Sequence, residues 1–135
     1  MPVRHRAAFV FALVAGYWGL IFVLTHLPGR ALASLTFSDK AQHAAAYFGL
    51  AFILSAAVVL FRPLSWWTLA GVVAAAGAYG AFDELTQLLV PGRTADWRDW
   101  LADVAGALLG GTAFHLGWWL VGGRGREATA APDTP

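Results

Sequence analysis

The stretch AQHAAAYFGLAFILSAAVVLF, residues 41–61, has 21 residues and no Asp, Glu, Lys or Arg. About 20 residues rising 1.5 Å each cover the roughly 30 Å hydrocarbon core of a bilayer, so this segment reads as a transmembrane helix. Three similar uncharged runs surround it: residues 7–29 (23 residues), 63–82 (20) and 104–123 (20). They leave only short loops and tails in a chain of 135 residues. Hydrophobic residues make up 59% and charged residues 13%, against roughly 25% charged in a soluble domain. The expected fold is all-α: a polytopic membrane protein with four transmembrane helices in one antiparallel bundle and no separate soluble domain.

Local punctuation sets the spans at about 7–27, 39–61, 64–90 and 97–121. Pro28-Gly29 ends the first. Ser38-Asp39 opens the second, with Gln42 three residues after Asp39 in capping-box fashion. Arg62-Pro63 makes a turn short enough to require antiparallel neighbours, and Pro91-Gly92 stops the third span. The fourth ends at Gly122-Gly123. On this reading residues 1–6 are a basic cytoplasmic N-terminus, 7–123 the transmembrane domain and 124–135 a disordered cytoplasmic tail. Ala31-Leu32-Ala33 offers an Ala-x-Ala cleavage site. The first apolar run exceeds the roughly 7–15 residues of a signal h-region, however, and is expected to stay as an anchor.

Several function classes drop out. Cysteine is absent, which removes disulfides, thiolate nucleophiles and Cys-based metal sites. The net charge is +1 and basic residues are scattered singly, so there is no footprint for nucleic acid. Arg4, Arg6, Arg62, Arg124 and Arg126 fall on one side of the bundle, while Arg30, Lys40, Arg93 and Arg98 fall on the other. That excess points to an N-in, C-in topology. Asp39, Asp83, Glu84, Asp96, Asp99 and Asp103 then lie toward the outer face.

These acids carry the chemistry, because a charge near the bilayer centre costs about 2.5–3.5 kcal/mol on insertion scales. Counting residues from the helix starts places Asp83, His43, Tyr47 and Asp103 in one shallow layer near the outer boundary. Helical spacing aims them: Asp39, His43 and Tyr47 recur at intervals of four, Lys40 precedes His43 by three, and Gln87 follows Asp83 and Glu84 by four and three. Asp96, Asp99 and Asp103 run into Gly106 and Gly110, a small-residue stripe that lets helices approach closely. This stripe is expected to meet the third helix along Gly77, Gly80 and Asp83/Glu84, with the polar groups converging on a water-filled pocket. Glu84, His43 and Asp83 are the candidates for acid-base catalysis. Asp39, Lys40, Tyr47, Gln87, Arg93, Arg98, Asp99 and Asp103 are the candidate ligand-binding residues, the arginines suiting phosphate. A metal held through oxygens and one imidazole stays open, although His-x-x-x-His and Glu-x-x-His motifs are absent; no cofactor is expected.

Each residue also has a plainer reading. Asp39, and Thr94 or Asp96, can act simply as N-caps. Arg98 with Asp99, or Arg93 with a third-helix acid, can form structural ion pairs, and Lys40 can snorkel to the interface. His26 and His115 stand alone in apolar context as packing or hydrogen-bonding residues. Trp66-Trp67, Trp97 with Trp100, and Trp118-Trp119 flank the spans as interfacial belts do. A bundle ordered by its polar network, without any ligand, is thus the alternative to a binding or catalytic site.

The motifs Asp39-Lys40-x-x-His43-x-x-x-Tyr47, Asp83-Glu84-x-x-Gln87-x-x-x-Pro91-Gly92-Arg93 and Asp99-x-x-x-Asp103-x-x-Gly106-x-x-x-Gly110 resemble, in order and spacing, the signature of the VanZ-like membrane protein family. The resemblance covers about residues 26–111. It implies a multi-pass protein of the bacterial cytoplasmic membrane, and it places the functional burden on the motif residues and Arg93. The family's namesake is an accessory determinant of resistance to teicoplanin, a glycopeptide that binds the cell-wall precursor. The implied partners are membrane lipids and a lipid-linked cell-wall precursor, with the oligomeric state left open. Where this chain has Asp103 the family pattern often has Asn, which implies a hydrogen-bonding role there. Fold and family alone do not make the chain a resistance factor.

Overall fold

In the computed structural model the described residues are 3–27 and 38–129, with side chains described for 5–27 and 38–121. They form four helices and no strands: α1 Val3–Thr25, α2 Asp39–Val58, α3 Trp66–Gln87 and α4 Trp97–Thr129. The Pro28-Gly29 boundary and Ala31-Leu32-Ala33 lie outside the described residues, as do residues 130–135. The fourth helix runs through Gly122-Gly123 to Thr129, past the end expected for it. Residues 124–129 thus continue the helix.

Caps explain the starts. Ser38 caps α2, its Oγ accepting from Ala41 N at 3.3 Å, so Asp39 is a first-turn acid instead of the cap. There it faces the positive end of the helix dipole. A reciprocal capping box opens α3: Ser65 N donates to Thr68 Oγ1 at 2.8 Å and Thr68 N to Ser65 Oγ at 3.2 Å. Asp96, not Thr94, opens α4, with its Oδ1 accepting from Arg98 N at 2.9 Å. Gly92, at φ 80°, makes the sharp turn after α3 in the left-handed region that a side chain would strain.

Cross-helix contacts fix the directions. His43 and Asp103 meet near the starts of α2 and α4, while Thr25 and Asp83 meet near the ends of α1 and α3. The helices therefore alternate up and down, and the ends of α1 and α3 share one side with the starts of α2 and α4. The α2–α4 interface is the closest. A Cβ at Gly106 or Gly110 would strike the main-chain carbonyl of Ala44 or Phe48, so the glycine stripe lies on α2 and not on α3 as spacing suggested. The third helix instead meets α4 one face around, where Gly77 faces Val104, Gly80 faces Asp103, and Trp100 Nε1 donates to Gly77 O at 2.9 Å. α1 packs mainly on α2, where Tyr17 Oη donates to Ala46 O at 3.1 Å.

Burial is inverted relative to a water-soluble bundle. His43, Ser55, Asp83, Glu84, Gln87, Asp99 and Asp103 are buried, whereas Phe9, Leu89, Trp67 and Trp119 are among many large apolar side chains left exposed. Water would penalise that surface; lipid does not. Three helical segments, His5–Thr25, Asp39–Val58 and Trp97–Val121, are long and apolar enough to cross a membrane. α3 has 22 residues, about 33 Å at 1.5 Å each, and is long enough too. Its glycines, tryptophans and two acids lower its hydropathy.

Candidate functional site

The helix ends on the shared side hold three adjoining polar groups. The first is built on Asp83, which has no exposed surface. Thr25 Oγ1 donates to its Oδ1 and Gln87 Nε2 to its Oδ2, both at 2.9 Å. His26 Nδ1 stands 3.8 Å from the same Oδ1, and His26 Nε2 lies 3.1 Å from Thr86 Oγ1. Both oxygens of Asp83 are thus satisfied, and this carboxyl ties α1 to α3. Thr25, His26 and Thr86 were not among the expected site residues. The signal for Thr25 and His26 is a pair of polar residues at the end of an otherwise apolar run, and that for Thr86 is its place between Glu84 and Gln87.

The second group is the rim. Lys40 Nζ lies 3.1 Å from Asp99 Oδ1 and 3.5 Å from Asp96 Oδ2, joining α2 to the start of α4. The Arg98 backbone N–H holds the Asp96 carboxyl below its usual range, and Lys40 adds to the effect. Lys40 is therefore an ion-pair partner at the mouth. The side chain of Arg98 does not pair with Asp99; its guanidinium lies 5.5 Å from the Trp97 ring, on the exposed surface. Arg93 does not pair with a third-helix acid either: its Nε donates to Leu27 O at 3.2 Å, holding the end of the α1 segment.

The third group lies deeper, where α2, α3 and α4 meet. His43 Nδ1 is hydrogen-bonded to Asp103 Oδ1 at 2.9 Å, with both side chains buried. Glu84 Oε2 accepts from the backbone N–H of Asp96 at 2.8 Å. The second oxygens, Glu84 Oε1 and Asp103 Oδ2, are buried and have no partner among the described residues, as is also true of the hydroxyls of Tyr47 and Tyr79. Those two rings stack with centroids 5.9 Å apart, forming the floor of the layer. Asp83 and Glu84, neighbours in sequence, therefore serve different groups: one closes a satisfied tie, and the other leaves an oxygen open toward His43 and Asp103.

Beside His43 a cavity of about 170 Å³ separates α1 from α2. Leu20, Ile21, Leu24, Ala46 and Tyr17 line its apolar side, and Thr25, Asp39, Gln42, His43, Tyr47 and Arg93 its polar side. For scale, an apolar cavity of about 150 Å³ accommodates benzene. This one is of comparable size. Leu20 and Leu24 are also exposed on the outer surface of α1, so the cavity adjoins the lipid-facing side. The expected site residues Asp39, His43, Tyr47 and Arg93 are brought together around it. Asp83, Glu84, Gln87 and Asp103 belong to the adjoining polar groups and do not line it, while Lys40, Asp99 and Arg98 stay at the rim.

His26 and His115 are hydrogen-bonding residues. His115 Nδ1 lies 2.8 Å from Gly111 O, and its Nε2 lies 3.5 Å from Thr68 Oγ1 at the opposite end of the bundle. A groove at that end, between the α2–α3 turn and α4, is lined by Arg62, Ser65, His115 and tryptophans and contains none of the acids.

No curated protein and no solved structure matches the chain. The VanZ/LLP1 family pattern matches residues 9–119, a stretch that contains the polar groups described above and most of the three helical segments of membrane-spanning length and composition. This membrane protein belongs to the VanZ/LLP1 family.

Proposed function

We propose that the protein crosses the bacterial cytoplasmic membrane four times with both termini inside, and that its outward-facing polar layer engages an amphiphilic cell-envelope component. The client is a lipid-linked or peptidoglycan headgroup. The cavity between α1 and α2 carries this reading, because it joins an apolar wall to a polar end that includes Arg93, Asp39 and His43. A polyprenyl-linked phosphate has that same division. Its chain would lie against Leu20 and Leu24, and its phosphate would meet the Arg93 guanidinium. The crossing of α3 and the orientation are part of the proposal: five basic residues against four favour the inside for the termini and the Arg62 turn. A role in the response to glycopeptides such as teicoplanin follows if the client is the precursor those antibiotics bind.

The alternative, a polar network that only orders the bundle, is favoured by the satisfied tie at Asp83. Binding of a polyprenyl diphosphate to the protein in nanodiscs separates the two. The proposal expects saturable binding that Arg93→Gln weakens by tenfold or more. The structural reading expects no saturable binding and only a less stable variant. A reporter fused after Pro135 and active outside the cell would reverse the orientation.

A further inference from the structure

We infer that His43, Glu84 and Asp103 form a binding site for one divalent transition-metal ion. One ring nitrogen of His43 and one oxygen from each carboxyl lie within 4.8 Å of one another, and all three residues are buried. Three atoms at that spacing surround a point no more than about 2.8 Å from each, so an ion needs them to close by at most roughly 0.6–0.8 Å to reach the usual 2.0–2.2 Å bonds.

A group of acids alone would not carry this inference; two unsatisfied oxygens do. Glu84 is 6% exposed and Asp103 0%, yet Glu84 Oε1 and Asp103 Oδ2 have no hydrogen-bond partner among the described residues. Buried carboxylate oxygens without partners are costly, and a cation supplies what they lack. Gly80 lies one helical turn before Glu84 on α3, and a Cβ there would come within 2.7 Å of Asp103 Oδ2, so that oxygen projects onto the face of α3 that bears Glu84. The same two residues are anchored by their other oxygens, Glu84 by Asp96 N and Asp103 by His43. The Asp96 bond resembles the outer-shell bonds that orient metal ligands, and the His43–Asp103 bond holds two of the three proposed ligands side by side.

The donor set selects the ion. One imidazole and two carboxylates suit Zn²⁺ or Mn²⁺, whereas Mg²⁺ and Ca²⁺ favour all-oxygen surroundings. Three protein ligands leave a further coordination position open, as in catalytic zinc sites. A second possible set, Asp39, His43 and Asp99, shares His43 but is weaker: Asp39 is exposed and Asp99 is already paired with Lys40. The inference stands apart from the lipid-binding proposal, since a metal can bind whether or not a headgroup does.

The test is metal binding by the purified protein in detergent after chelation. Zn²⁺ and Mn²⁺ are titrated by calorimetry, and Co²⁺ is followed through its visible absorption. The expected result is one equivalent bound. Glu84→Gln keeps an oxygen for Asp96 N–H, and Asp103→Asn keeps one for His43. Each should weaken binding by more than the roughly 10- to 100-fold that loss of an outer-shell partner costs. Asp39→Asn should retain binding. Absence of stoichiometric binding to the wild type overturns the inference, whatever the variants do. So does binding that survives both Glu84→Gln and Asp103→Asn, or that is lost only in Asp39→Asn. Circular dichroism and gel filtration show which variants are folded, and wild-type stoichiometry and spectrum decide the matter if one is not.

Discussion

Replacing Gly106 by alanine should loosen the bundle, although alanine is the better helix former. A Cβ at this position would strike the main-chain carbonyl of Ala44, and one at Gly110 that of Phe48, one turn further along the same pair of helices. Because the obstacle is backbone, no rotamer change relieves it, and α2 and α4 must separate. Overpacking of this kind costs about 1–3 kcal/mol. Alanine returns about 0.5–1 kcal/mol through the lower entropy of the unfolded chain. The net loss for Gly106→Ala is then between about 0 and 2.5 kcal/mol, toward the upper end because the obstacle is backbone, and Gly106→Ala/Gly110→Ala should lose more. Gly71, on α3, is the internal control: nothing lies within 4 Å of a Cβ built there. Gly71→Ala should therefore be neutral or stabilising by up to about 1 kcal/mol. Unfolding in a single detergent, followed by circular dichroism, compares the variants directly. If Gly106→Ala is as stable as Gly71→Ala, the close α2–α4 approach is wrong.

Three further outcomes follow from the polar layer. Thr25→Val removes a donor to the buried Asp83 Oδ1 and should cost about 1–3 kcal/mol in the same unfolding assay, whereas Thr25→Ser should keep most of the stability. Trp100→Phe removes the indole bond to Gly77 O and should cost about 1 kcal/mol; no loss would mean that the α3–α4 contact is held by packing alone. Asp96 titrates below its reference value of 3.8, so the stability it adds is present above that value and is lost as pH falls through the lower folded-state value. The Arg98 amide resonance should report a midpoint below 3.8, and a midpoint at or above it would refute the cap.

Periodicity and charge made the helices legible, together with the shallow depth shared by their polar residues. Spacing also grouped the residues within a helix correctly in kind: Asp83 does bond Gln87 four residues on. It also brought Gly77 and Gly80 of α3 to α4, where they face Val104 and Asp103, but most side-chain partners on other helices were beyond it. Thr25 and Asp83 are 58 residues apart, and nothing local in either segment specifies the bond between them. The glycine stripe announced that two helices approach closely, yet small residues do not say which helix arrives, and it was α2. Adjacent cap candidates compete for the same backbone donors, which is why Ser38 displaced Asp39. The arginines were the least legible. A guanidinium is satisfied equally by a carboxylate, a carbonyl or an aromatic face, and Arg93 and Arg98 took the latter two.

The central claim is that the outward polar layer engages a cell-envelope component through the cavity that Arg93 helps to line. Native mass spectrometry of the gently extracted protein tests it most directly, with the wild type compared with Arg93→Gln and with Arg62→Gln at the opposite end. The account predicts that a lipid-linked phosphate species travels with the wild type and with Arg62→Gln, and is lost from Arg93→Gln. Bare protein in all three samples, or an adduct that Arg93→Gln retains in full, would contradict it.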